Sequence, residues 1–208
     1  MWKKLIDILF PKFCVNCNKE GAYLCQDCFS LIPVLKHQPD PFLFCPASYN
    51  NFIVRKLINQ FKYEPFIKEL AEPLASLIIA HLLSLEKFPD LRDFILVPVP
   101  LHKKKLKQRG FNQAEEIGKE VAGFLNLPLI NNALIKIKRT PSQVGLEKEK
   151  RKQNVKGVFL CQKPKLVKNK KILLIDDVCT TGATFAECQK CLLAGGASVV
   201  LKMCVAHG

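Results

Sequence analysis

The stretch from Lys171 to Val205, KILLIDDVCTTGATFAECQKCLLAGGASVVLKMCV, decides the fold. Lys171 to Asp177 reads as a strand with a uniformly apolar run at Ile172 to Ile175, and Thr180 to Thr184 as a turn. Phe185 to Ala194 reads as a helix stopped by Gly195 and Gly196, and Ala197 to Val205 as a second strand. Strand, helix and strand in that order form a crossover unit, which implies a parallel sheet. The apolar strand ends abruptly in two carboxylates, Asp176 and Asp177. Adjacent carboxylates repel, and the carboxyl end of a parallel strand is where α/β proteins bind ligands. Thr180, Thr181, Gly182, Ala183 and Thr184 then offer consecutive backbone N–H groups, hydroxyls and a glycine at the start of a helix, a combination that favours an anion. Carboxylates accept hydrogen bonds from sugar hydroxyls while the turn cradles a phosphate, so a phosphorylated ribose meets both demands. The plainer alternative, a helix cap and a polar turn, leaves one of the two aspartates unexplained.

Outward from this unit, FILVPVP at Phe94 to Pro100 has the nearly continuous apolar character of a strand buried on both faces. A basic loop, LHKKKLKQRGFN, follows. Gln113 to Leu125 is then predicted as a helix with Asn112 as N-cap and Ala114, Ile117, Val121, Phe124 and Leu125 as its buried stripe. Earlier, Ile53, Leu57, Ile58 and Phe61 recur at helical spacing, and a longer apolar helix runs from about Glu69 to Leu85 with Pro73 near its first turn. Residues 133 to 138 alternate like a strand, Val158 to Cys161 reads as another, and the polar segment between them has the composition of a mobile lid.

The first 45 residues differ in kind. Cys14-x2-Cys17 and Cys25-x2-Cys28 each supply two thiolates from a tight turn, which together complete a closed tetrahedral Zn2+ site. Such a site stabilises a segment too small for its own core and has no open position for catalysis. Two disulfides, or four separate thiols, are the alternatives. Residues 1–45 are therefore expected to form an N-terminal helix and a four-cysteine zinc module, and residues 46–208 an α/β domain. The opening MWKKLIDILFPKFC lacks the cleavage site of a signal peptide. It suits a short amphipathic helix using Trp2, Leu5, Ile6, Leu9 and Phe10. No apolar run reaches the ~18 residues of a membrane span, so the chain is expected in the cytoplasm, meeting a membrane only through partners. Cys188 and Cys191, three apart on a helix, read as packing residues together with Cys45, Cys161 and Cys204. Cys179 reads as filler.

The net charge of +14 is regional: residues 103 to 171 hold 19 of the 32 Lys and Arg but only 5 of the 18 Asp and Glu, a surplus equal to that of the whole chain. This points to an anionic partner, against the plain alternative of a solvated lysine-rich face.

The segment around Asp176 to Thr184 resembles the signature of type I phosphoribosyltransferases. The remainder resembles the competence-associated ComF family through Cys14 to Cys28, RKLINQFKY at Arg55 to Tyr63, VPVPLHKKKLKQRGFNQA at Val97 to Ala114 and RTPSQVGLEKEKRKQNVKGVF at Arg139 to Phe159. The resemblance implies a phosphoribosyltransferase-like parallel sheet flanked by helices. It also implies that Asp176 and Asp177 bind ribose hydroxyls and serve any catalysis, and that Thr180 to Thr184 hold the 5′-phosphate. Leu101, His102 and Lys103 would form a pyrophosphate loop with Mg2+, and Arg139, Gln143, Arg151 and Asn154 would belong to a flexible loop closing over phosphoribosyl pyrophosphate. Lys103, Lys104, Lys105, Lys107 and Arg109 are the candidates for nucleic-acid contact.

Two functions follow. One is handling of incoming single-stranded DNA in natural transformation, alongside DNA-uptake or recombination proteins and with a phosphoribosyl ligand site. The other is an active phosphoribosyltransferase of nucleotide or base metabolism, for which no acceptor pocket is identifiable. Aromatic platforms, usual in single-strand binders, are sparse in the basic segment, with Phe111 and Phe159 among the few.

Overall fold

A computed structural model describes residues 11–35, 40–86, 90–138 and 155–208. The expected amphipathic helix at the N-terminus lies outside the described residues. In chain order the elements are α1 (Gln26–Ser30), β1 (Leu43–Phe44), β2 (Ala47–Ser48), α2 (Phe52–Lys62) and, after a 3-10 turn at Lys68–Leu70, α3 (Ala71–Ser84). Then come β3 (Phe94–Pro98), α4 (Lys103–Arg109), α5 (Gln113–Leu125), β4 (Leu134–Lys136) and β5 (Phe159–Cys161). The chain ends in α6 (Pro164–Val167), β6 (Lys171–Cys179), α7 (Ala183–Ala194) and β7 (Val199–His207).

The main sheet is parallel throughout. β6 lies between β3 and β7, and β7 is flanked on its other side by an interrupted edge in which β1 and β2 pair with successive parts of it. Beyond β3 the sheet is extended by the chain at 128–130, where Leu96 N–H donates to Pro128 C=O and Ile130 N–H donates to Leu96 C=O. β4 and β5 form a separate antiparallel pair.

Alternation along each strand sorts the core into two layers. Leu173 and Ile175 join Leu96 and Met203 under α2, α3 and α5, while Ile172 and Leu174 join Ile95, Val97 and Cys204 under α7 and the β4–β5 pair. Because both faces are covered, all five residues of β3 are buried, as its uninterrupted apolar run predicts.

Local chemistry sets the helix ends. Asn51 caps α2 by accepting from the N–H groups of Ile53 and Val54, and Asn112 caps α5 as expected by accepting from Ala114 N–H. Pro73 lies in the first turn of α3, where it breaks no hydrogen bond.

Several expectations need correction. β6 runs on to Cys179, so the diacid lies within the strand, and α7 opens at Ala183, placing Thr184 in its first turn. The basic stretch after Leu101 is a helix, α4, ended by Gly110 at φ 81°, because its Lys, Leu and Gln side chains are good helix formers. Phe124, expected in the buried stripe of α5, is 51% exposed, and it is Leu125 beside it that packs against the core. The first strand of the sheet lies at Leu43–Phe44, and Val15 and Ile32 of the cysteine segment pack into the same core layer as α2 and α3.

Candidate functional site

The carboxyl end of β6 delivers the two aspartates to different surroundings, because side chains alternate across a strand. Asp177 is buried, and its Oδ1 lies 2.8 Å from Nζ of Lys62 at the end of α2. Asp176 accepts from the backbone N–H of Asp177 at 2.9 Å. Burial, followed by the neighbouring Asp177 charge, pushes the Asp176 carboxyl up to about 7, against the opposing pull of Lys62. Lys62 is itself moved upward: burial opposes its charge, but Asp177 and then Asp176 outweigh it. A second lysine, Lys136 of β4, is drawn down by burial and by Lys105, with Asp176 opposing. The diacid therefore stands within a lysine-lined surround built from α2, α4 and β4.

Immediately after β6 the chain turns through Thr180 and Thr181 to Gly182, whose φ of 72° lies in the left-handed region that side-chain-bearing residues avoid. Thr181 Oγ1 accepts from Ala183 N–H at 3.4 Å. Residues 178 to 185 line a cavity of about 30 Å³ at the N-terminus of the twelve-residue α7. Thr180, Thr181, Gly182, Ala183 and Thr184 are thus brought together around one concavity next to the diacid. Cys179 is buried, and burial pushes its thiol up to about 11, away from the reactive thiolate.

Leu101, His102 and Lys103 stand at the entry to α4. His102 is its N-cap, with Nδ1 accepting from Lys104 N–H at 3.3 Å, so the imidazole is engaged in ordering the helix. Lys103, Lys104 and Lys107 are exposed, while Lys105 and Arg109 are partly covered. Arg109 donates to Gln113 Oε1 at 2.7 Å, and the buried Gln113 donates from Nε2 to Phe61 C=O at 3.2 Å, which ties α4 and α5 to the end of α2. Arg139, Gln143, Arg151 and Asn154 lie outside the described residues.

The four N-terminal cysteines converge. Their sulfurs all lie within 4.8 Å of one another, and the Cys17–Cys25 pair is 3.6 Å apart, against about 3.8 Å between sulfurs of a tetrahedral zinc site with bonds of ~2.3 Å. All ten cysteines are free thiols in this structure, and the Cys17–Cys25 separation of 3.6 Å is that of two ligands of one ion, not of an S–S bond of about 2.05 Å. The tight turn after Cys14 is closed by Asn18 N–H donating to Cys14 C=O. Burial opposes ionisation of Cys14, but backbone N–H groups of Cys17, Cys25 and Asn16 overcome it and bring the thiol down to about 6, while Asn16 Nδ2 donates to Cys28 Sγ at 3.3 Å. This is a donor set compatible with a structural zinc ion.

Sequence alone does not single out Lys62 or Lys136. Each is an ordinary polar position in its own periodicity, Lys62 following Phe61 at a helix end and Lys136 on the polar phase of ALIKIK. Only the tertiary fold carries the signal, since Lys62 and Asp177 are distant in sequence.

No protein-family model matches the chain. It is 29% identical over 185 residues to Competence protein F of Haemophilus influenzae, covering 88% of this chain and 79% of that protein. It is 31% identical over 150 residues to the DNA utilization protein YhgH of Escherichia coli, covering 72% and 65%. Competence protein ComFC of Bacillus subtilis is 33% identical over 109 residues, covering 52% and 42%. The chain thus spans a little under two thirds of the length of the Escherichia coli relative and less than half of the Bacillus one. Among solved structures, adenine phosphoribosyltransferase from Leishmania tarentolae aligns with 80% of this chain and 78% of its own at 16% identity and a TM-score of 0.43. A glutamine phosphoribosylpyrophosphate amidotransferase from B. subtilis aligns with 66% and 25% at 17% identity and a TM-score of 0.39. The parallel sheet and its helices resemble those of phosphoribosyltransferases.

Proposed function

We propose that this chain, similar over most of its length to Competence protein F and over 150 residues to the DNA utilization protein YhgH, is a ComF-family protein that handles single-stranded DNA and binds phosphoribosyl pyrophosphate or a related phosphoribosyl ligand. One observation carries the ligand reading: an ion-paired diacid at the end of a buried parallel strand stands beside a helix N-terminus opened by a left-handed glycine. In this reading Asp176 and Asp177 accept the ribose hydroxyls, and the N–H groups and hydroxyls of Thr180 to Thr184 hold the phosphate. Leu101 to Lys103 flank the pyrophosphate, which arrives with its Mg2+, and the basic surround offsets its charge. The four cysteines hold one zinc as a structural clamp.

Displacement of pyrophosphate from the ribose would need positioning and charge stabilisation rather than a protein nucleophile. The active-transferase alternative uses the same residues and is separated by turnover alone.

The test is calorimetric titration of magnesium phosphoribosyl pyrophosphate into the wild type and into Asp176→Asn/Asp177→Asn, with pyrophosphate release assayed in parallel. Binding by the wild type that the double variant loses is the expected result. No heat with wild-type protein overturns the ligand reading, and pyrophosphate release in the presence of a base or amine would favour the transferase.

A further inference from the structure

We propose that the solvent face of α2, carrying Phe52 and Tyr63 each flanked by a cation, is a track on which bases of single-stranded DNA stack. This rests on the DNA-handling reading and assigns it a surface outside the basic segment.

The core demands of α2 are met by Ile53, Val54, Leu57, Ile58 and Phe61, all buried. Phe52, Lys56 and Asn59 recur at intervals of four and three, which places them on the opposite face, and Tyr63 follows as the extended C-cap residue of the helix. There Phe52 is 58% and Tyr63 48% exposed. Burial gives no reason for two large rings to line a polar face, and single exposed apolar residues are ordinary only when scattered.

Each ring has a cation against it. Lys56 Nζ lies 5.7 Å from the Phe52 centroid, and the Arg109 guanidinium carbon lies 6.0 Å from that of Tyr63. Arg109 is held in place by Gln113, which is itself buried and bonded to the backbone of Phe61. The cation beside Tyr63 is therefore preorganised, and it belongs to the same helix as the exposed Lys103, Lys104 and Lys107.

Exposed ring faces interleaved with cations suit a strand whose bases are unpaired and whose phosphates repeat along it. In a duplex the base faces are already occupied. A protein partner fits less well, because lysines are depleted from the cores of protein interfaces. The rise of the helix sets the Cα atoms of Phe52 and Tyr63 roughly 16 Å apart, so each ring takes its own base. Aromatics are few among the basic residues in sequence, and the fold supplies one by bringing Tyr63 to Arg109.

Fluorescence anisotropy with a labelled oligothymidylate of about 20 nucleotides, and with a duplex of equal length, tests the inference on the full chain at low salt. Phe52→Ala and Tyr63→Ala are each expected to weaken single-strand binding about tenfold while leaving duplex binding, thermal unfolding and binding of magnesium phosphoribosyl pyrophosphate unchanged. Tyr63→Phe, which keeps the ring, should bind as the wild type does. If both alanine variants bind the oligothymidylate with wild-type affinity, the track is overturned while DNA handling stands. If the wild type itself fails to bind at low salt, DNA handling falls and the track with it.

Discussion

At the scale of single residues, Asp176 and Asp177 show how one strand divides two identical side chains. Asp177 pairs with Lys62 Nζ at 2.8 Å, whereas Asp176 faces burial and the Asp177 charge and rises to about 7. A carboxyl whose folded pKa lies above its ordinary 3.8 binds more protons folded than unfolded across the interval between those values. Stability therefore falls as pH rises from about 4 to about 7, and the full cost is present above 7. Asp176→Asn removes that titration. The variant is expected to be more stable than the wild type at pH 8, with the difference shrinking toward pH 4, as thermal unfolding across pH would show. A variant less stable than the wild type at pH 8 would mean that the ionised carboxylate is satisfied in the folded protein. The same destabilising arrangement suits a ligand site, where proximity of charges is tolerated because a ligand will meet it.

At the scale of elements, much of the sheet and its covering helices is legible in the sequence because each carries its own signal: a closed apolar run for β3, helical spacing with an Asn cap for α5, and strand, turn and helix in succession for β6 and α7. What is not legible depends on neighbours distant in sequence. Nothing local marks Lys62 as the partner of Asp177, or Tyr63 as the neighbour of Arg109. The basic stretch reads as a loop because its charge draws attention away from helix propensity, which Lys, Leu and Gln share. As α4, it presents Lys103, Lys104 and Lys107 to solvent from one rigid element. Replacing these three by Gln is expected to reduce the slope of log affinity against log salt for single-stranded DNA by about 2, at ~0.7 for each phosphate no longer neutralised. Affinity measured from low to moderate salt gives the slope directly. An unchanged slope would assign α4 to the fold and leave the phosphates to other cations.

At the scale of the whole molecule, the cysteine module and the α/β body share a core rather than merely a chain. Val15 and Ile32 sit in the layer beneath α2 and α3, and Tyr23, Leu24 and Phe29 pack against it. The module's backbone is pinned by short-range bonds such as Cys14 N–H to Lys19 C=O and Gly21 N–H to Lys12 C=O, which hold two turns but bury little. Its order therefore depends on what joins the sulfurs, and structural zinc sites contribute apparent binding energies of about 10–16 kcal/mol to such folds. Because the apolar residues between the cysteines complete the body's core, loss of the metal should propagate into it. Purified protein is expected to carry one zinc by elemental analysis. Chelation, or Cys14→Ser/Cys17→Ser, is expected to lower the Tm of the entire protein in one cooperative transition. A melting curve that splits into an early small step and an unchanged main step would mean that the module only leans on the body; an unchanged curve on chelation would mean that packing alone holds the four thiols together.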